Sequence, residues 1–459
     1  MYLLFSIANE LLINRKSIVT AYTSGRKERR EIMIIHVVQP GDTIYTIARQ
    51  YNTSPQKIIT DNELQNPNEL VVGQTLVILI PDQVHTVQPG DTLENIAQRY
   101  GTTVLQLLQY NPQITYADAI FPGEQITISL NQEKRGPIEV IGYAYPHIDR
   151  TVLMKTLPYL TYLTIFTYGI MPDGSLIGID DDDLIRIAKD YDVAPLMLIS
   201  TLTEEGTFSN ELAHTILNDQ TVQDNLIENI VKTMGEKGYY GLDIDFEYVL
   251  PEDKEKFAAF VQKVTDRLNE EGYTVLTALA PKTSSDQPGL LYEAHDYHAL
   301  GEASNRVLLM TYEWGYTYGP AMAVAPVNRV REVLDYAVTE IPREKIYMGI
   351  PNYGYDFILP YVQGVSRADS VSNVGAVQLA ADIGEAILYD ETAQAPYFIY
   401  YDDQGRQHQV WFEDARSIEA KLDLFSEYGF EGVGYWNIMR YFPQNWLVVS
   451  SLYDIAKVL

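Results

Sequence analysis

Two stretches near the start of the chain share one pattern of apolar and polar positions. HVVQPGDTIYTIARQYNTS begins at His36 and HTVQPGDTLENIAQRYGTT at His85, an offset of 49 residues. In each, a His-x-Val strand runs into a Pro-Gly-Asp turn. Ile44, Ile47, Ala48 and Tyr51, like Leu93, Ile96, Ala97 and Tyr100, then recur at the spacing of a helix that buries one face. Asp42 and Asp91 stand where each helix needs an N-cap, next to Thr43 and Thr92. A second short helix and a closing strand, LVVGQTLVIL from Leu70 and IFPGEQITIS from Ile120, complete each unit. Self-similarity at a fixed spacing marks repeated modules. Units this small are marginal folds by themselves.

From Ile138 the texture changes to β-branched apolar runs alternating with helical stretches. The runs predict strands over Ile138–Ala144, Tyr162–Tyr168, Ala194–Ile199, Gly241–Glu247, Thr274–Ala280, Arg306–Tyr312, Lys345–Ile350 and Gly432–Trp436. Helical spacing covers Asp181–Tyr191, Glu211–Lys237, Asp253–Glu271, Pro326–Glu340 and Glu413–Tyr428. Strands separated by helices call for a parallel sheet. Eight of them predict an α/β fold, a (β/α)8 TIM barrel. The surplus between strands 7 and 8 reads as a small α+β insertion. Within it, Tyr397–Tyr401, the turn Asp402-Asp403-Gln404-Gly405 and Arg406–Trp411 form a hairpin pattern. The expected organisation is an N-terminal extension over 1–33, modules over 34–81 and 83–131, a polar linker over 132–137 and the barrel over 138–459. The insertion spans about 355–412.

Composition narrows the partners. The chain has 62 acidic against 33 basic side chains, a net charge of -29, and no cysteine. Nucleic acid and anionic membrane surfaces need a positive field that this chain lacks. Disulfides, thiolate zinc sites and a cysteine nucleophile are excluded. No run of about 18 apolar residues is available to span a bilayer. Residues 1–32 are basic, opposite in sign to the rest. They lack the order of a secretory signal, so Met33 is the expected working start.

One segment concentrates the chemistry. In GYYGLDIDFEYVL, residues 238–250, Asp243, Asp245 and Glu247 are spaced by two. On a strand all three project to one face, about 6.5–7 Å apart. Like charges buried together cannot all ionise, so at least one carboxyl pKa must rise. One site can then hold a protonated acid beside an ionised partner. Three readings are open at this point: a solvated acidic edge strand, a hard-cation site of carboxylates, and a glycosidase site. Leu242, Ile244 and Phe246 give the other face an apolar surface, which opposes the first. The ligand loop of common calcium sites is missing, which weakens the second.

The segment resembles the D-x-x-D-x-D-x-E signature of glycoside hydrolase family 18. Its last three acids are present, and Tyr240 stands in place of the first. RVLLMTYEWG resembles that family's sixth-strand M-x-Y-D motif, with Glu313 for the usual Asp. YMGIPNYGYDF, GVGYWN and ALAPK resemble its seventh, eighth and fifth strands. The resemblance implies retaining catalysis without an enzyme nucleophile. It implies that Glu247 is the acid and base, and that Asp245 orients the substrate's acetamido group. Tyr312 would hydrogen-bond the acetamido oxygen, and Asp243 would share a proton with Asp245. It places Trp436 under the bound sugar, Met310 in the site, and Trp314, Tyr353 and Asn352 on the pocket wall. No cofactor and no metal is implied.

The paired repeats resemble the LysM module, a βααβ fold that binds N-acetylglucosamine-containing glycans such as peptidoglycan and chitin. The resemblance places glycan binding at Gly41, Asp42, Thr43 and Asn62, and at Gly90, Asp91, Thr92 and Asn111. Tandem modules would add avidity for a polymer. Together with the VWFEDARS run (410–417), the assembly resembles the spore-germination cortical-fragment lytic enzymes. That group implies an N-acetylglucosaminidase acting on spore cortex peptidoglycan, located in the coat and cortex region of the spore. A monomer is expected. The alternatives are a chitinase and a non-catalytic lectin on the same barrel. Deleting residues 34–131 is expected to weaken binding to insoluble cortex and to spare soluble oligosaccharides.

Other clusters are weaker. Asp180–Asp183 precede a helical run, where acids complement the helix dipole. His295 and His298 suggest zinc, but no third ligand accompanies them, and exposed histidines are the ordinary case. No phosphate-binding glycine loop, nucleophile-elbow serine or HExxH occurs.

Overall fold

The computed structural model describes residues 33–115, 119–130, 133–203 and 206–459. The expected extension, except Met33, lies outside them. Eight parallel strands form the centre: Pro137–Ala144, Tyr162–Ile170, Ala194–Ser200, Gly241–Asp245, Thr274–Leu279, Arg306–Leu309, Ile346–Pro351 and Gly432–Trp436. Each pairs with the next, and the eighth pairs with the first, closing a barrel.

Alternation decides what faces where. Leu242, Ile244 and Phe246 are fully buried in the main core, where Phe246 stacks on Phe257 and Phe260 of the helix Lys254–Glu270. The intervening Asp243 and Asp245 then point into the barrel.

Three local expectations are corrected. The pattern over 211–237 gives two helices, Asn210–Asn218 and Gln220–Lys237. Asp219 turns extended between them and caps the second by accepting the Thr221 and Val222 N–H groups. The fourth and sixth strands stop at Asp245 and Leu309, so Glu247, Met310 and Tyr312 stand just past strand ends. His295 is fully buried, not exposed. It accepts the Ala280 N–H at 3.1 Å, and burial lowers its pKa to about 4. No group of metal-ligating side chains is found among the described residues. Asp182 and Asp183 do open a helix, but Asp181 is buried and accepts hydrogen bonds from Tyr168 and Tyr239.

Between strands 7 and 8, a five-stranded antiparallel sheet forms with the helix Asn373–Ile383. The hairpin pairs Ala395–Tyr401 with Gln407–Trp411. Asp402 closes its turn by accepting the Gln404 and Arg406 N–H groups, and Gly405 supplies a φ of 74°.

The repeats are βααβ units. Met33–Val37 pairs with Thr75–Leu79 around helices Ile44–Gln50 and Pro55–Asp61. Pro81–Thr86 pairs with Gln125–Leu130 around Leu93–Tyr100 and Val104–Tyr110. The caps are Thr43 and Thr92, not the aspartates. Asp42 and Asp91 instead accept the Gln39 and Gln88 N–H groups at 2.7 Å, closing the turn. Each also contacts its histidine, His36 at 3.0 Å and His85 at 2.7 Å.

The first module shares cores with the catalytic half. Met33, Val77 and Leu79 belong to the main core, and Val71 packs with Ile387, Phe398 and Phe412 of the insertion region. Gln444 is buried and donates to the Thr75 carbonyl at 2.6 Å, while Thr75 Oγ1 donates to Gln444 Oε1 at 2.7 Å. Ile387 N–H donates to the Val72 carbonyl at 2.8 Å. A Cβ at Gly73 would run into the Ile387 carbonyl, so the backbones meet where only glycine fits. The second module is held by Gln109, whose Nε2 donates to the Pro158 carbonyl at 2.8 Å and whose carbonyl accepts the Tyr159 hydroxyl at 3.1 Å.

Candidate active site

The C-terminal ends of the strands open into a cleft of about 740 Å³. Asp245, Glu247, Tyr312, Met310, Trp314 and Trp436 line it. Asp243 lies beneath, fully buried, and accepts the Tyr143 hydroxyl at 2.7 Å. Its Oδ1 and the Oδ1 of Asp245 are both buried without a hydrogen-bond partner among the described residues.

Desolvation governs the titration here. Burial drives the Asp243 pKa well above the carboxylate range, with the Asp245 charge adding to it against the Tyr143 hydrogen bond. Burial pushes Asp245 up to about 7. Glu247 is raised well above normal by burial, then by the nearby charges of Asp245 and Glu313. Burial, and then the charges of Asp245, Glu247, Glu313 and Asp243, raise the Tyr312 pKa well above that of a free phenol. A Cβ at Gly349 would approach the Tyr312 ring to 2.7 Å, so this glycine makes room for the phenol. The strand spacing thus brings three carboxyl groups and one neutral hydroxyl to one floor.

Trp436 closes the base of the cleft, its ring 4.9 Å from Phe166 and 5.9 Å from Tyr143. Tyr353 does not line the cleft. It is buried, and its hydroxyl donates to Glu313. Tyr355 donates to the same carboxyl at 3.1 Å, and desolvation raises the Glu313 pKa. Asn352 is likewise set back, its amide donating to the Asn437 and Arg440 carbonyls at 3.0 and 2.8 Å. It holds the loop after strand 8.

Cleft residues outside the sequence motifs include Tyr143, Tyr145, Phe166, Phe208, Tyr292 and Arg329. Tyr143 and Tyr145 had a usable signal. GYAYP ends the first strand with two aromatics two residues apart, the spacing that points both inward.

The module positions divide differently. Gly41 and Gly90 are exposed turn glycines with φ of 89° and 88°. Asn62 and Asn111 are buried pins. Each donates to two carbonyls, Ile58 and Val77 or Leu107 and Thr127, and accepts one strand N–H. The turn before the closing strand is buried in one repeat and open in the other. Val71 is 7% exposed, while Phe121 at the matching position is 64% exposed.

Residues 142–440 match the glycosyl hydrolases family 18, and residues 36–79 and 85–129 match the LysM domain. The chain is 43% identical over 432 residues to the cortical fragment-lytic enzyme of Bacillus subtilis, covering 93% of this chain and 99% of that one. The crystal structure of the Bacillus megaterium spore cortex-lytic enzyme SleL superposes with a TM-score of 0.79 at 44% identity, covering 93% of this chain and all of that one (100%). A chitinase from Chromobacterium violaceum, 24% identical with a TM-score of 0.64 over 68% of this chain and 98% of that one, shares the barrel fold. The chain belongs to the glycosyl hydrolases of family 18, with two LysM domains ahead of its catalytic barrel.

Proposed function

We propose that this chain hydrolyses spore cortex peptidoglycan, cleaving β-1,4 bonds after N-acetylglucosamine by substrate-assisted retaining catalysis during germination. The supporting observation is the cleft floor, where Glu247, Asp245 and Tyr312 are gathered with raised pKa values above a buried Asp243. Likeness over nearly the whole chain to a cortical fragment-lytic enzyme supports the substrate. The same likeness supports a place in the spore.

Glu247, protonated through desolvation, gives its proton to the glycosidic oxygen as the C1–O bond breaks. The acetamido carbonyl oxygen of the same sugar bonds to C1, forming an oxazolinium ion. Asp245 faces the acetamido N–H and balances its positive charge. Tyr312 donates to the acetamido oxygen. A proton between the unpartnered Oδ1 atoms of Asp243 and Asp245 would satisfy both and move as Asp245 becomes charged. Water then attacks C1 and gives its proton to Glu247 while the C1 bond to the acetamido oxygen breaks, restoring the acetamide, and the product retains its configuration. The LysM domains bind the N-acetylglucosamine-containing glycan.

Glu247→Gln tests the scheme. A general acid contributes about 10²–10⁴-fold. Turnover of cortex fragments is expected to fall at least about 100-fold with glycan binding retained, and unchanged turnover refutes the role. Wild-type digestion of cortex and chitin side by side checks the substrate, with chitin expected to be the poorer one.

A further inference from the structure

The barrel has a second opening, at the N-terminal ends of its strands and opposite the cleft. A cavity of about 420 Å³ lies there, within the range of about 300–1,000 Å³ that holds small ligands. Its cause is in the lowest interior layer. Alternation turns Tyr162, Leu196, Gly241, Thr274, Arg306 and Tyr347 inward at the strand starts. Barrels of this kind fill such a layer with bulky side chains. Here Gly241 has none and Thr274 is short. A Cβ at Gly241 would come 2.5 Å from Thr274 Cγ2, so these two strands meet closely with no bulky side chain between them. Tyr240, which stands where the family 18 signature has its first acid, borders the cavity. It precedes Asp245 by five residues, about 16–17 Å along an extended strand, so the cavity is no part of the cleft.

The wall decides the ligand. Tyr162, Tyr240, Tyr273 and Tyr347 surround the cavity, the first two with ring centroids 5.9 Å apart. Ile141, Leu196 and Leu276 form the apolar floor. Asn305 and Arg306 are half-buried and Asn269 is exposed, so the polar rim is open to solvent. Arg306 is the only cation that lines the cavity among the described residues, and Glu431 stands 3.7 Å from it. The Tyr347 hydroxyl donates to Glu139, a second carboxylate at the same end. A phosphate or carboxylate would meet those negative charges, and a purely apolar ligand would strand the amides and the guanidinium. A neutral pyranose suits both, with its C–H face on a phenol ring and its hydroxyls among mixed donors and acceptors. We propose that the N-terminal mouth of the barrel binds a pyranose residue, as a holding site on the face opposite the cleft. That the sugar belongs to cortex peptidoglycan rests on the proposed function; the pyranose chemistry does not.

The test uses full-length Glu247→Gln protein with labelled Leu and Met methyl groups, read by NMR. The probes are N,N′-diacetylchitobiose, cellobiose and inorganic phosphate. Saturable shifts at Leu196 and Leu276 with the chitobiose are expected, and none with phosphate. A matching response to cellobiose assigns the site to the bare pyranose ring; its absence assigns it to sugars that carry an acetamido group. Asn269→Trp, at an exposed position of the helix Lys254–Glu270, covers the mouth. It is expected to abolish the leucine responses and leave the Met310 response to chitobiose in the cleft intact. Tyr240→Ala is expected to weaken the leucine responses about 3- to 10-fold, the range of one aromatic contact. No leucine response to either sugar, or an equal response to phosphate, overturns the proposal and leaves the cavity to water. So does a leucine response that survives Asn269→Trp, because it is then transmitted from the cleft. A missing Met310 response in protein with an open mouth counts against the cleft reading instead.

Discussion

At the residue scale, Asp245 joins stability to chemistry. Its carboxyl has a pKa of about 7 when folded and an ordinary one of about 3.9 when unfolded. The folded state therefore holds the proton more tightly, and stability is lost as pH rises from about 4 through about 7. Each tenfold difference in proton affinity between the two states is worth about 1.4 kcal/mol, so the full effect is a few kcal/mol. Asp245→Asn is expected to melt higher than wild type at pH 8, with the gap narrowing towards pH 5; a constant gap in calorimetric scans contradicts this. The carboxylates were legible because a spacing of two on an apolar-backed strand leaves one arrangement. Phe166 reaches the cleft from a strand far away in sequence, which no local pattern reports. Asn352 was misplaced for the opposite reason: its motif is local, but its amide is engaged by carbonyls 85 and 88 residues further on.

At the element scale, the repeats were readable as units and misread in detail. Thr43 and Thr92 hold the caps, because the aspartates are drawn back to the turn and the histidine. Asn111 joins its helix to the closing strand by three hydrogen bonds of 2.7–2.8 Å. Asn111→Ala leaves those backbone groups unpaired at about 1–3 kcal/mol each. Hydrogen exchange is expected to quicken throughout the second module while turnover of soluble fragments stays unchanged; lost binding with undisturbed exchange would instead favour direct glycan contact. Phe121 presents the open face of that module. Phe121→Ser is expected to lower co-sedimentation with insoluble cortex about 3- to 10-fold, in the range of one aromatic contact, and equal sedimentation excludes this surface.

At the scale of the whole molecule, all eight barrel strands and the insertion were legible, since alternation and turn chemistry are local signals. The docking of the first module was not. Val77 and Leu79 look like module core in the sequence, yet together with Met33 they pack in the main core with the barrel. The expectation that residues 34–131 can be removed without loss on soluble substrates is therefore revised. Uncovering such side chains costs about 1.5–3 kcal/mol each. Deletion is expected to lower the melting temperature of the barrel itself and to reduce soluble turnover at 37 °C. A truncated barrel that melts like the full chain would show the docking to be dispensable.

The closed seam between the first module and the insertion has a further consequence. A tethered grip would let the catalytic half sample many distances along a held strand. Here the first module shares its packing with the catalytic half, so a strand held at both is expected to meet them at one spacing, as between the jaws of a caliper. Polymers long enough to reach both jaws gain from double engagement, and shorter ones gain nothing however strongly each jaw holds. The length of fragment at which affinity steps upward would then measure the jaw opening directly.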